Sequence, residues 1–227
     1  SQHFGAKNTL KMKEAIFHAG FLSILFAAVI TTACAILCPN ILHILSTPEN
    51  IFDDAYSYLF IIFLGIPFTI LYNFLSGLLR AVGDSKTPFL FLVFSSILNI
   101  ILDLTFIIVF KLGVSGAALA TIMSQGVSGL LCLIYIIKKF PILCISKEHC
   151  RIKSDMTKQM IAMGVPMGLQ YSITAIGSMV MQSANNGLGS TYISGFTAGM
   201  RIKQFLMCPF DAIATAASTF CSQNFGA

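Results

Sequence analysis

Apolar residues run along this chain in blocks too long to be one face of a soluble helix. Six such blocks, parted by short polar stretches, fall at 15–37, 55–79, 88–110, 114–137, 159–185 and 192–223. Each is near the roughly 20 residues an α-helix needs to cross a bilayer. None alternates as a barrel strand does, so every spanning element is predicted to be a helix, which satisfies its own backbone inside hydrocarbon. The pattern predicts an all-α membrane protein with six transmembrane helices. The last block is long for one crossing and contains Pro209, so a kink or an interfacial end is expected there. Pro67 and Pro166 also fall inside blocks, where proline removes a backbone bond and serves as a hinge. Gly113, Gly116, Ala117, Ala118, Gly126 and Gly129 give the fourth block a surface for close helix approach, and Gly195 and Gly199 form a GxxxG in the last.

Composition agrees with the pattern. The 227 residues are 56% hydrophobic and 10% charged, with a mean hydropathy of +0.83. A soluble domain carries about 25% charged residues, so this chain cannot cover itself with polar surface in water. The net charge of +5 matters less than its placement. Eleven of the fourteen basic residues fall before the first block, between the second and third, or between the fourth and fifth. The positive-inside rule makes that side cytoplasmic, along with both ends of the chain. The lysine-rich stretch 138–158 is then a contact for anionic lipid headgroups rather than for nucleic acid. Cysteine labelling checks the topology: Lys147→Cys is expected to react from the cytoplasm and Asp53→Cys from outside, and the reverse would overturn the span count.

Candidate chemistry is sparse. Asp103 is a lone carboxylate in the middle of the third block, with Asn99 one helical turn before it on the same face. An ionisable group inside a span is costly and is by default a functional site. At 1.5 Å per residue Asp103 is roughly 22 Å from the start of its block, inside the slab and nearer the outer face. Gln170, Tyr171, Gln182, Asn185 and Asn186 put a polar stripe on the fifth block, suited to a cavity wall or to helix–helix hydrogen bonds. Arg201 and Lys203 in the last block either line a cavity or snorkel to an interface. Seven cysteines are scattered without a CxxC, and four histidines are isolated, so no metal cluster or cofactor site is predicted from them. HExxH, GxSxG and Walker motifs are absent from the sequence. An intramembrane hydrolase would need a paired Asp or a Ser–base pair, and the intramembrane carboxylates Asp103 and Asp211 share no helix.

A repeat sets the larger plan. The chain starts SQHFGA and ends SQNFGA, with the second copy 221 positions after the first. Six crossings separate the copies, so both face the same side, as in transporters built from parallel repeats. The chain also begins on what reads as the tail of a helix, and a piece of a longer protein is expected.

With these features the sequence resembles the multidrug and toxin extrusion (MATE) transporters. The resemblance rests on GIPFTILYNFLSGLLRAVGDSKTP (65–88), LNIILD (98–103), GVSGAALAT (113–121), GVPMGLQ (164–170), GLGS (187–190) and PFDAIATAASTFCSQNFGA (209–227). It implies spans three to eight of a twelve-helix, two-lobe transporter. Residues 1–140 would be the remainder of the amino-terminal lobe with four spans, 141–158 the cytoplasmic inter-lobe loop, and 159–227 the first two spans of the carboxy-terminal lobe. It implies an antiporter exporting organic cations or drugs against protons or sodium across the bacterial cytoplasmic membrane. The full-length protein would be a monomer, embedded in the lipid bilayer, without enzymatic activity, a cofactor or a nucleic-acid partner. Of the family's cation site, the Asn and Asp of span five and the Thr of span six carry over onto Asn99, Asp103 and Thr121, which would be oxygen ligands of a sodium ion if sodium is the coupling ion, while the site's Asp on span one falls outside this sequence. A carboxylate that some members carry eight residues past the proline of span seven is here Thr174, which speaks against a second carboxylate site there. Gln170, Tyr171, Thr174 and Arg201 are the candidates for a substrate cavity. A lipid-linked saccharide flippase of the same superfamily is the alternative; it would want several inward cations, and only Arg201 and Lys203 qualify.

Overall fold

The fold is seen in a computed structural model. It describes residues 1–44, 47, 49–145, 154–186 and 190–227, with the side chains of all of these except 44, 182, 183, 185, 186 and 190–194. Expectations for Lys147, Arg151, Lys153, most of the GLGS piece and the side chains of Gln182, Asn185 and Asn186 fall outside what is described.

Every long described element is a helix. They are α1 (Gln2–Gly5), α2 (Thr9–Ile44), α3 (Phe52–Leu64), α4 (Ile66–Ala81), α5 (Lys86–Leu104), α6 (Gly113–Lys139), α7 (Ser154–Asn186) and α8 (Ser190–Gly226). Six stretches among them are long and apolar enough to cross a membrane. Large apolar side chains point outward along them, for example Ile24, Ile36, Phe89, Ile108, Val109 and Phe205. That is the inside-out arrangement of a chain whose solvent is lipid.

The second crossing is two helices. α3 stops at Leu64 and α4 begins at Ile66, with Gly65 the joint. Pro67 occupies the second position of α4, where a missing N–H leaves no bond broken. The proline thus opens a helix rather than bending one. A Cβ on Gly65 would run into the Ile122 side chain of α6, so the joint also makes room for that side chain. Pro166 and Pro209, by contrast, stay inside the continuous helices α7 and α8.

The loop LRAVGDSKTP folds by local chemistry. Gly83 takes φ +93°, open to glycine and strained for other residues, and turns the chain out of α4. The Asp84 carboxylate then accepts the Thr87 N–H at 3.0 Å, satisfying a free donor of the first turn of α5. Tyr72 of α4 donates its buried hydroxyl to the Pro88 carbonyl at 3.1 Å and ties the two helices at that end.

By internal contacts the chain divides into Lys7–Arg151 and a second unit made of Ser1–Ala6 with Ile152–Ala227. In the first, α6 is the central element, packing on α3, α4 and α5, while α2 packs on α3 and α4. Gly116, Ala118, Ala120, Ser124, Gly126, Ser128, Gly129 and Cys132 of α6 are buried. The space above Gly126 and Gly129 is filled by Phe68 and Leu71 of α4. Apart from Gly113, which is exposed with no described heavy atom near where a Cβ would stand, the small-residue surface read from the sequence is therefore the packing face. The GxxxG of α8 is not: among the described residues no heavy atom lies within 4 Å of where a Cβ would stand on Gly195 or Gly199.

In the second unit, α7 and α8 are neighbours, and α1 lies against the end of α8. That contact joins the two copies of the repeat, and it is reciprocal. A Cβ on Gly5 would overlap the Gln223 carbonyl oxygen, and one on Gly226 would overlap the Gln2 carbonyl oxygen. Gly5 corresponds to Gly226 and Gln2 to Gln223 in the repeat, so each copy offers the other the same glycine and the same carbonyl.

Candidate functional site

Asn99 and Asp103 sit on the last two turns of α5, and both side chains are partly buried. The Asp103 Oδ1 and Asn99 Nδ2 atoms are sealed from solvent and have no hydrogen-bond partner. Leaving a buried polar atom unmet costs about 1–3 kcal/mol, more for a charged group. Such atoms in a native fold point to a ligand, an ion or a water.

The register between α5 and α6 places Thr121. Ser95 donates its buried hydroxyl to the Ser124 carbonyl at 2.7 Å, and Ser128 donates to the Phe91 carbonyl at 3.2 Å. The helices therefore run antiparallel. One turn outward from Ser95 brings Asn99 level with Ala120 and Thr121, and a further turn brings Asp103 level with Gly116 and Ala117. Thr121 donates its hydroxyl to the Ala117 carbonyl at 3.0 Å, which keeps the oxygen's lone pairs free to meet a cation. Carboxylate, carboxamide and hydroxyl thus come from two adjoining helix faces within about one turn of each other. Among the described residues no three His, Cys, Asp or Glu side chains cluster, so a transition-metal centre has no donor set here. One carboxylate with neutral oxygens instead suits a small hard cation or a proton.

The remaining candidates are scattered. Gln170, Tyr171 and Thr174 lie on exposed faces of α7, and Arg201 and Lys203 are exposed on α8. Thr174 donates to the Gln170 carbonyl at 2.9 Å, an ordinary helix-internal bond. Two features were not expected. Immediately after α5 the chain makes a π turn, Thr105–Val109, with Phe110 N–H donating to the Thr105 carbonyl at 3.1 Å. Such wide turns recur at functional sites, and this one starts two residues past Asp103. In addition, Thr31 Oγ1 on α2 and Gln125 Oε1 on α6 are buried without partners. An apolar cavity of about 510 Å³ opens elsewhere in the same unit, lined by Gly20, Ile24, Ala27, Pro67, Phe68 and Leu133 among others.

Residues 1–105 and 166–227 match the family described as MatE. The chain belongs to the MatE family. A probable multidrug resistance protein, YpnP, of Bacillus subtilis is 40% identical over 187 residues, covering 82% of this chain and 41% of its own length. The multidrug export protein MepA of Staphylococcus saprophyticus is 27% identical, covering 90% of this chain and 46% of its own. A solved structure described as MATE in the bent conformation superimposes with a TM-score of 0.92 at 23% identity, covering 99% of this chain and 51% of that one. The fold is therefore the MATE fold, and the chain spans about half the length of the MatE relatives it matches.

Proposed function

We propose that this chain forms the centre of an ion-coupled antiporter that exports organic cations or drugs across a bacterial cytoplasmic membrane, with Asp103 the coupling residue. The observation that carries this is the unpartnered carboxylate oxygen of Asp103, sealed inside a helix long and apolar enough to cross a membrane, beside the unpartnered amide of Asn99. Proton and sodium compete for that one carboxylate, with Asn99 and Thr121 adding neutral oxygens when the ion is bound. A drug moves against its gradient because it favours the state in which the ion is released, and the coupling is only as strong as that difference in affinity. The names of the bacterial relatives support the substrate class. The 510 Å³ apolar cavity suits the hydrophobic body of such a compound. The full-length protein is expected to act as a monomer, with residues 1–140, 141–158 and 159–227 forming one lobe, the inter-lobe loop and the start of the other.

The test is efflux of a fluorescent organic cation from vesicles containing the full-length protein, under an imposed sodium or proton gradient. Efflux driven by either gradient supports the reading, and efflux indifferent to both rejects it. In the same assay Asn99→Ala and Thr121→Ala are expected to raise the ion concentration for half-maximal efflux by roughly three- to tenfold, about 0.7–1.4 kcal/mol. Neither is expected to abolish transport, because the carboxylate stays.

A further inference from the structure

We propose that Gln125 is a positioning residue of the cation site: when the cation binds, it accepts a hydrogen bond from Asn99 that is not made in this structure, and so turns the Asn99 oxygen toward Asp103; this rests on the coupling role proposed above for Asp103. Two of the buried unpartnered atoms are complementary: Asn99 Nδ2 is a donor and Gln125 Oε1 an acceptor. They belong to neighbouring helices whose register is fixed by the Ser95–Ser124 and Phe91–Ser128 bonds. Asn99 is level with Ala120 and Thr121, so Gln125 stands roughly 6 Å further along the axis at 1.5 Å per residue.

Side-chain direction closes that gap. Side chains on a helix lean toward its own amino terminus. α5 and α6 are antiparallel, so Asn99 leans toward the level of Ser95 and Gln125 toward the level of Thr121. Each therefore leans toward the other. Gln125 also shares a strip of α6 with Thr121 and the buried Cys132, close to the side that carries the contacts with α5.

The bond matters because a carboxamide has two unlike ends. If the Asn99 nitrogen faced Asp103 it would donate to the unpartnered Oδ1, one turn away on the same face, and occupy the lone pair a cation needs. With the nitrogen held by Gln125, the oxygen faces the carboxylate and joins the ligand set. Partners behind the ligands fix orientation in this way, and their loss weakens cation binding without removing a ligand.

The measurement is the concentration of the driving ion at half-maximal efflux of a fluorescent organic cation, made on the full-length protein in vesicles. Gln125→Leu is expected to raise it about tenfold, leaving the maximal rate and the thermal midpoint near wild type. Gln125→Glu keeps an acceptor and is expected to stay at or below the wild-type value. In an Asn99→Ala background Gln125→Leu is expected to add nothing, because its partner is gone. An unchanged value in Gln125→Leu overturns the proposal, as does a shift of full size in the Asn99→Ala background. Should Gln125→Leu fail to fold, Gln125→Met, unbranched and close in length, replaces it under the same outcomes. Asp103→Asn measured alongside separates the two failures. Ion dependence that survives in Asp103→Asn removes the coupling reading and this proposal with it. Ion dependence lost there but unshifted in Gln125→Leu removes only the role of Gln125.

Discussion

Full-length protein carrying Asp103→Asn is expected to fold, reach the membrane and bind drug, yet to lose gradient-driven efflux. The change keeps the shape of the side chain and removes the charge beside Asn99 that can exchange a proton for a cation. Thermal stability is expected to hold or rise, since Asp103 Oδ1 has no partner to lose and an unpaired ionised group in a span is costly. Transport depends on a coupling free energy between ion and drug, and such couplings span roughly 5–150-fold in affinity. Losing the ion's binding group removes the whole factor, so efflux under an imposed gradient is expected to fall at least tenfold, toward background. Vesicles that still pump at the wild-type rate would falsify the coupling role and make Asp103 a structural residue.

Substitution at the glycine contact between the two repeat copies is expected to be nearly as damaging, by a different route. A side chain on Gly5 or Gly226 meets a backbone carbonyl, not the end of a flexible side chain. Nothing there can swing aside, so α1 and α8 must separate. Overpacking of a tight contact costs about 1–3 kcal/mol, and Gly226→Val or Gly5→Val is expected to cost at least that much, read as a lowered thermal midpoint of the purified full-length protein. The double variant is expected to be less damaging than the two effects added together, because the first side chain has already opened the crossing for the second. Strict additivity would show that the two glycines do not share one contact.

Much of this architecture was legible in the letters. Uninterrupted apolar runs have few alternatives to a spanning helix, and the six appear where hydropathy puts them. The small residues of α6 announced its packing face, but the same signal at Gly195 and Gly199 met no partner among the described residues. A small-residue motif states that close approach is affordable, not what approaches. Pro67 pointed to the right place and the wrong event: the joint is at Gly65, and the proline starts the next helix. The π turn at Thr105–Val109 was hidden because its residues are as apolar and helix-compatible as those before it.

In the site, Asn99 and Asp103 could be found because a carboxylate and an amide one turn apart stand out against hydrocarbon. Thr121 came only through the family resemblance, since a threonine in a span is common. Gln125 was passed over because a neutral amide in a membrane helix reads as ordinary helix–helix bonding. Its acceptor and the donor of Asn99 are both buried and unmet, on helices whose register the Ser95–Ser124 bond fixes. Likewise the repeat was plain at both ends of the chain, but standing on the same side of a membrane does not require two segments to touch.

That they do touch, glycine to carbonyl in both directions, makes the contact self-complementary. Each side presents the same group to the other, as two identical subunits do about a twofold axis. The two glycines therefore answer for one another, and a change at either strikes the same crossing.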